Sequence, residues 1–572
     1  MLVYANHNLI CRTETFLEEV KRCADRILDR ATEDSIVELL IECGEFESCV
    51  CDYYSPNAEH FTRAGGLLRQ LTILSAQVYY DYLKNGRSLE KMTQFFPLFK
   101  HLKATQLPYY VQRRIPEGYA FYSLYPETFY DASEKIIDEL HPKKVVCIGL
   151  RSIGTSLSAA VTSVLLANGV DVSSFTVRPF GDTFNRQIKL DNQMIEKFIH
   201  WDAYYLIVDE GPGLSGSSFC GTAEYLEKFG IPGERIVFLP SWIPSSKNFV
   251  CQKSRERWNN YKKFTGEFDK VWKKIQNNLI SAEPTLTDIS GGKWRYHLFS
   301  RPALWPAVNP YHERRKYLLD TINTGTIVAK FSGLGRYQKE TEKIATILSN
   351  TYSSPVLKVQ NGFVFYRFMD VKEDASSSLC TLFHTVVDYL VFRSKRLLCE
   401  QLTSYEQMLE MIEGNISKIG RKDLLKKLKK VLINTELYRR RPIAVDSRML
   451  PHKWIYSENR WVKLDGTDHY RDQFLPAAQD IAWDIAGFCI EFALCNRSTK
   501  DFLSIYKEKS GDYELDRVLP FHFIAYTVFR IGYSALAKES LSGTVEAQRF
   551  NQKLQFYIRC LETKLEEYNT TY

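Results

Sequence analysis

The chain has 572 residues, of which 45% are hydrophobic, 13% aromatic and 25% charged, and its formal net charge is +7. This length predicts two or more domains, and the aromatic-rich composition excludes a disordered chain. The small charge excess does not favour a nucleic-acid partner, and the absence of a long apolar run or signal-peptide pattern predicts a cytoplasmic protein without a membrane span.

Residues 1–130 have mainly helical patterning. Apolar residues recur at helical spacing over residues 14–28 and 64–84. An acidic cluster at residues 42–47 separates patterned stretches, and we expect it to be a solvated face. The thirteen scattered cysteines lack zinc-ribbon spacing, so we expect reduced thiols.

A strand, a small-residue loop and a helix are predicted next. Residues 145–150 are apolar and β-rich, and Gly149, Arg151, Gly154 and Thr155 lie at or just after their end. A helical pattern runs from residue 157 to 167. The arginine fork suits phosphate oxygens, so this loop is a candidate anion site.

The segment with the strongest functional signal is residues 204–219. An apolar run ends in Asp209 and Glu210, and a loop rich in glycine and serine then leads into a helical pattern. Glycine permits close approach of the backbone to a ligand, and the free N–H groups of a helix N-terminus favour phosphate. The two acids suit sugar hydroxyls or hydrated magnesium, so the segment fits a phosphorylated ribose.

These motifs resemble type I phosphoribosyltransferases over about residues 130–245. The resemblance implies that Asp209 and Glu210 are catalytic residues that hold ribose hydroxyls, with phosphoribosyl pyrophosphate and Mg²⁺ as ligands. The implied phosphate-binding residues are Gly149, Arg151, Gly154 and Thr155 for pyrophosphate, and Gly213, Ser215, Gly216, Ser217 and Ser218 for the 5′-phosphate. The loop has one residue more than the family pattern. Either it is longer, or Glu210 is the first acid and Gly211 replaces the second.

The second half of the chain carries three further pieces in order. Residues 326–331 read as a strand that displays Lys330. Residues 445–455 contain Asp446, and Asp465 follows a short hydrophobic run. Residues 479–487 read as the start of a helix that carries two aspartates. Residues 415–441 are basic with leucines at helical spacing, which favours a solvated amphipathic helix over an RNA- or membrane-facing patch.

These pieces are similar to the aminoglycoside phosphotransferase and protein-kinase-like superfamily over about residues 290–572. The resemblance implies an ATP site with Lys330 on the phosphates, Asp446 as catalytic base and Asp465 as metal ligand. It also implies a glutamate partner for Lys330, either Glu340 or Glu342, and support of the catalytic loop by Asp480 or Asp484.

The family's metal-binding asparagine is replaced in this chain. Pro451 stands at its position and His452 follows, so we predict His452 as a second metal ligand, with Mn²⁺ as an alternative to Mg²⁺. A glycine-rich nucleotide loop before Lys330 is also missing. Three interpretations stay open: an active kinase, a nucleotide-binding pseudokinase, or chance similarity.

The predicted fold class is α/β, with a phosphoribosyltransferase-like parallel sheet and helical N-terminal hood, followed by a kinase-like α+β domain. The predicted domains are residues 1–130, 131–285 and 286–572. The predicted function is transfer of phosphoribose to a small nucleobase-like acceptor, with a possible second ATP-dependent phosphotransferase activity. The alternative is a non-catalytic nucleotide-sensing regulatory or defence protein. The sequence is compatible with an oligomer.

Overall fold

The computed structural model describes residues 9–86, 90–200, 202–277, 285–321, 325–371, 379–399, 404–433, 440–467, 469–471 and 477–571. None of the helices within these ranges is both long and apolar enough to cross a membrane.

The N-terminal region is helical, as predicted, and a short antiparallel pair closes it. Its elements are β1 (Leu9–Arg12), α1 (Thr13–Asp29), α2 (Glu33–Tyr54), α3 (Arg63–Asn85), α4 (Glu90–Lys103), β2 (Tyr110–Arg113), α5 (Glu117–Ala120) and α6 (Pro126–Leu140). The side chain of Thr32 caps α2 by accepting a hydrogen bond from the N–H of Ser35, and Glu33 and Asp34 favour the positive end of the helix dipole.

The acidic cluster at residues 42–47 is buried inside α2, so the predicted solvated face is wrong. Glu42 and Glu45 lie within 2.6 and 2.7 Å of the Arg113 guanidinium, which β2 delivers from a distant part of the chain. Helical periodicity alone cannot reveal such a partner. Buried carboxylates are tolerated here because each has a charged hydrogen-bond donor.

A five-stranded parallel sheet follows, with the order β4-β3-β5-β6-β7. Its strands and their helices are β3 (Lys144–Leu150), α7 (Gly154–Ala167), β4 (Asp171–Val177), α8 (Asn192–Phe198), β5 (Tyr204–Val208), α9 (Ser217–Lys228), β6 (Ile236–Leu239), α10 (Gln252–Arg257), β7 (Lys262–Lys263) and α11 (Phe268–Asn277). Alternate strand residues enter two different cores, so helices cover both faces of the sheet. Trp258 and Tyr261 turn into the core between α10 and β7.

The second half begins with an antiparallel sheet of order β11-β12-β10-β9-β8. Its elements are β8 (Thr285–Asp288), α12 (Arg295–Leu298), β9 (Lys316–Thr321), β10 (Gly325–Phe331), α13 (Arg336–Leu348), β11 (Val356–Gln360) and β12 (Phe363–Arg367). The predicted strand with Lys330 is β10, in the middle of this sheet.

A mainly helical region completes the chain. Its elements are α14 (Leu379–Arg396), α15 (Tyr405–Lys418), α16 (Lys422–Ile433), β13 (Trp454–Ser457), β14 (Arg460–Lys463), α17 (Ala482–Glu491), α18 (Asn496–Ser510), α19 (Leu515–Ser540) and α20 (Val545–Thr571). The basic segment forms two helices, α15 and α16, with Leu424 and Leu428 buried. Residues 434–439 of that segment lie outside the described residues.

The hydrophobic cores cross the predicted domain boundaries. One core extends from Phe16 to Phe365 and joins the N-terminal helices to both sheets, whereas a second core lies among the C-terminal helices. The predicted boundary near residue 285 falls partly on residues 278–284, outside the described part. Helix α2 contacts both the parallel-sheet unit and α13, so the N-terminal region supports two functional regions at once.

Candidate functional sites

The first candidate site lies at the carboxyl edge of the parallel sheet. Strand β3 has β4 on one side and β5 on the other, so the direction in which successive strands are added to the sheet reverses between β3 and β5. Ligands of open parallel sheets bind at such switch points. The loops after β3 and β5 meet here, and a Cβ on Gly154 would come within 2.7 Å of the Val208 carbonyl oxygen.

Asp209 and Glu210 stand at this edge with few compensating contacts. Asp209 Oδ1 accepts a hydrogen bond from the Glu210 N–H at 2.9 Å, and Glu210 Oε2 accepts one from the Gly118 N–H at 2.9 Å. Burial raises the pKa of Asp209 to about 7 and that of Glu210 to about 8. Across the described ranges, neither carboxylate forms an ion pair with a lysine, arginine or histidine, so the pair suits hydroxyl donors or a hydrated cation.

Residues 209–216, which we call the acid loop, end at the start of α9. Gly216 has a φ of 62° and directly precedes Ser217. The Ser217 hydroxyl donates to the Thr183 carbonyl oxygen at 2.6 Å and lies 3.0 Å from Ser215 Oγ. Gly213 has open space around it. The acid loop therefore places a helix N-terminus beside two carboxylates.

Residues of the loop after β3 that were predicted to bind phosphate make contacts within the protein instead. The guanidinium of Arg151 donates to Asp52 Oδ1 at 2.9 Å and to Glu59 Oε2 at 2.7 Å, so protein carboxylates occupy it and it does not face a ligand anion. Thr155 is fully buried against Ser48, with 2.7 Å between their hydroxyl oxygens. A Cβ on Gly149 would lie 2.3 Å from Ser158 Oγ, so this glycine is explained by packing.

Arg114 and Arg178 are the cationic side chains that line the surface beside this loop. They share a small cavity with Ser152 and Asp52. Arg178 donates to Asp52 Oδ2 at 2.6 Å. The sequence gave no signal for Arg114, which is brought here by the chain leading from β2.

The second candidate site is a cleft of about 140 Å³ between the antiparallel sheet and the β13–β14 hairpin. Apolar side chains line its walls: Leu318, Val328, Phe368, Met369 and Ile455. Four lysines, at positions 316, 330, 453 and 463, also line it, with Arg367 and the carboxylate of Asp465. We call it the lysine cleft. Apolar walls interspersed with cationic side chains suit a nucleotide base and its phosphates.

Asp465 lies between two of these lysines. Its Oδ1 contacts Lys330 Nζ, and its Oδ2 lies 2.5 Å from Lys453 Nζ. The lysine charges hold the pKa of Asp465 well below its usual range. Asp465 has a φ of 63°, an uncommon conformation outside glycine that often marks functional loops.

Asp446 is completely buried and is also paired with a lysine. Its Oδ2 accepts from Lys463 Nζ at 2.9 Å and from the Tyr389 hydroxyl. Asp484, rather than Asp480, supports this loop: its carboxylate accepts the N–H groups of Asp446 at 2.7 Å and Ser447 at 2.8 Å.

The structure places His452 and the predicted glutamate partner of Lys330 in contacts that the sequence did not predict. The His452 ring stacks on Trp294 at 5.5 Å, and burial lowers its pKa well below the usual value, so it is a neutral ring in an aromatic contact. On α13, Glu340 contacts Arg471 and Glu342 is exposed, whereas Lys330 contacts Asp465.

A divalent cation does not fit the lysine cleft as it is built. Both oxygens of Asp465 contact ammonium groups, and His452 lies against Trp294. Within the described ranges, no three His, Cys, Asp or Glu side chains gather as a metal site would require. The predicted metal pair of Asp465 and His452 is therefore not assembled, because lysines supply the positive charge.

Sequence reasoning missed the residues that complete this site. Lys453 directly precedes β13 and Lys463 ends β14, so both lie at the open end of the hairpin. The available signal was the presence of a charged residue beside each buried apolar strand. Arg393 donates to the carbonyl oxygens of Gly466, at 2.8 Å, and Ala444, so it ties both aspartate loops to α14. Its position gave no signal because it lies inside an ordinary helical pattern.

Comparison with known proteins gives matches in structure only. No protein-family model and no curated protein sequence matches the chain. Choline kinase LicA from Streptococcus pneumoniae aligns with a TM-score of 0.34 and 14% identity, covering 52% of this chain and 99% of its own. An ethanolamine kinase from Plasmodium vivax aligns with a TM-score of 0.34 and 12% identity, covering 62% of this chain and 95% of its own. Spectinomycin phosphotransferase in complex with ADP aligns with a TM-score of 0.35 and 10% identity, covering 52% of this chain and 98% of its own.

These structural neighbours have choline kinase and aminoglycoside phosphotransferase folds over about half of the chain. They give no support to phosphoribosyl transfer. At such TM-scores the likeness carries no argument about activity, so the function must be argued from the geometry of the two sites.

Proposed function

We propose that this protein is a transferase and that its lysine cleft binds ATP or a related nucleotide. The observation that carries this proposal is the cleft itself: apolar walls from β9, β10 and β13 end at Lys330, Lys453 and Asp465. A base fits between the walls, and ammonium groups are natural partners of phosphate oxygens.

Phosphoryl transfer would further require a base that reaches an acceptor hydroxyl. Asp446 is the candidate, yet it is buried and paired with Lys463 at 2.9 Å. Turnover would thus require this pair to open. The present geometry favours nucleotide binding over turnover, which is the sensing alternative.

Titration of ATP into the full-length protein, followed by calorimetry and by ADP release, tests the proposal. We expect saturable binding that Lys330→Met weakens at least tenfold. The exposed Lys343→Met on the same sheet-to-helix unit is the matched control. Absence of ATP binding to a folded protein would overturn the assignment, and ADP release would distinguish an enzyme from a sensor.

A second function is favoured by a specific observation at the parallel sheet: two half-buried carboxylates, which form no ion pair among the described residues, adjoin the N-terminus of α9. We propose that this site binds phosphoribosyl pyrophosphate with Mg²⁺. Asp209 and Glu210 would hold the ribose hydroxyls and stabilise positive charge that develops on the sugar during transfer to a nucleobase-like acceptor.

Residues 213–218, which span the end of the acid loop and the start of α9, would hold the 5′-phosphate. The pyrophosphate would meet backbone groups of the loop after β3 and the guanidinium of Arg114, since Arg151 and Arg178 are both paired with carboxylates. Release of pyrophosphate in the presence of candidate nucleobases tests transfer. Binding without release would leave this site, too, as a sensor.

A further inference from the structure

Every carboxylate oxygen of Asp465, which lines the lysine cleft, and of the buried Asp446, which pairs with the lining residue Lys463, has a donor. Asp465 Oδ1 contacts Lys330 and Oδ2 contacts Lys453 at 2.5 Å. Asp446 Oδ1 accepts the Arg448 N–H at 3.1 Å, and its Oδ2 accepts from Lys463 at 2.9 Å. A magnesium ion requires near-octahedral oxygen coordination, so it would have to displace an ammonium group to gain a protein ligand.

The charged side chains that line the cleft also disfavour a bound cation. Four lysines and Arg367 face the cleft together with a single lining carboxylate, Asp465. Lys330 and Lys453 are each less than a tenth exposed. Lys316, Lys463 and Arg367 are paired with carboxylates outside the lining, those of Glu313, Asp446 and Glu458. Lys330 and Lys453 share the single carboxylate of Asp465, so this group keeps one positive charge that attracts polyphosphate without help from a bound cation.

Lys453 is held in place by its neighbours. Its Nζ lies 2.5 Å from Asp465 Oδ2 and 5.3 Å from the centre of the Trp294 ring, and the adjacent His452 ring stacks on the same tryptophan. The ammonium group is therefore a fixed feature of the cleft, beside the carboxylate that would otherwise take a metal.

We propose that the lysine cleft binds its nucleotide without a divalent cation, and that Lys453 supplies the charge that a metal would bring to Asp465 and the phosphates. This inference rests on the nucleotide-binding function proposed above. The ligand class is a nucleoside di- or triphosphate in its metal-free, fully anionic form.

The test is ATP binding to the full-length protein by calorimetry, in buffer with excess EDTA and in buffer with millimolar Mg²⁺. We expect an affinity in EDTA that equals or exceeds the affinity in Mg²⁺. AMP should bind at least tenfold more weakly than ATP in EDTA, because fewer phosphate oxygens reach the lysines.

Lys453→Met sharpens the test, because it frees Asp465 Oδ2. The variant should lose at least tenfold affinity in EDTA, and Mg²⁺ should then restore part of it. Lys293→Met is the matched control: this lysine is next to Trp294 in sequence but exposed and paired with Asp288 at 2.6 Å, so metal dependence should stay as in wild type.

The outcomes are separable. Wild-type binding that requires Mg²⁺ would overturn the metal-free proposal while preserving the nucleotide function. Absence of binding in both buffers would overturn the nucleotide function and this inference with it. If Lys453→Met does not fold, the wild-type comparison of EDTA with Mg²⁺ still decides, and Lys453→Gln offers a second variant of similar length.

Discussion

The two candidate sites place aspartates after β-strands, yet they treat the carboxylates in opposite ways. In the acid loop, burial raises the pKa of Asp209 to about 7 and no cation partners it within the described structure. In the lysine cleft, Lys330 and Lys453 hold the pKa of Asp465 well below its usual range. The first site depends on a ligand to supply donors or positive charge. The second already contains its positive charge and depends on a ligand to supply negative charge.

The largest expected effect comes from removing the carboxylate charge in the lysine cleft. Asp465→Asn leaves the buried ammonium groups of Lys330 and Lys453 without their counter-charge, and we expect the free energy of unfolding to fall by about 3–5 kcal/mol. Scanning calorimetry measures this loss. Adding Lys453→Met should recover part of it. A single variant as stable as wild type would contradict the lysine pairing.

A similar loss is expected on the parallel-sheet side from Arg151→Ala, because Glu59 and Asp52 lose a buried partner. We expect about 3 kcal/mol of destabilisation. The control is Arg186→Ala, which removes a guanidinium from the exposed segment after β4 and should change stability by less than about 0.5 kcal/mol. A stable Arg151→Ala protein that only binds phosphoribosyl pyrophosphate more weakly would return Arg151 to the ligand.

The acid loop should respond differently to neutralisation. Phosphoribosyl pyrophosphate with Mg²⁺ at a hundred times its dissociation constant should stabilise wild type by about 2.7 kcal/mol. Asp209→Asn combined with Glu210→Gln should abolish this shift. The ligand-free double variant should melt at or above the wild-type temperature at pH 8. The exposed Asp202→Asn is the control, and a wild-type protein without any shift would refute the site.

The smallest effect is a pH dependence of the ligand-free protein. Because the folded pKa values of Asp209 and Glu210 are about 7 and 8, the folded state keeps protons that the unfolded chain releases above about pH 4. Stability attributable to these groups therefore falls as pH rises and levels off above about pH 8. We expect wild type to lose about 1–2 kcal/mol relative to the double variant between pH 5 and 8.5, after a discount for partial exposure. Parallel melting curves at both pH values would contradict the raised pKa values.

Local sequence determined the elements that carry both sites. Apolar β-rich runs and small-residue loops predicted β3, β5 and the segments after them, and residues 326–331, which read as a strand that displays Lys330, predicted β10. These signals are local because strand preference, glycine turns and helix starts depend on neighbouring residues. The order of strands and helices likewise predicted a parallel sheet, since crossovers are right-handed and short.

Only the tertiary structure decided what the charged side chains do. The sequence predicted Arg151 as a phosphate ligand, but in the structure it pairs with Asp52 of α2 and with Glu59, which follows that helix. The acidic residues 42–47 of α2 were predicted to be solvated, but in the structure Arg113 of β2 pairs with Glu42 and Glu45. Lys453 and Asp465 became partners because the β13–β14 hairpin brings its two ends together. A charge's role depends on which opposite charge lies within a few ångströms of it, and that is a property of distant segments that the sequence pattern does not contain.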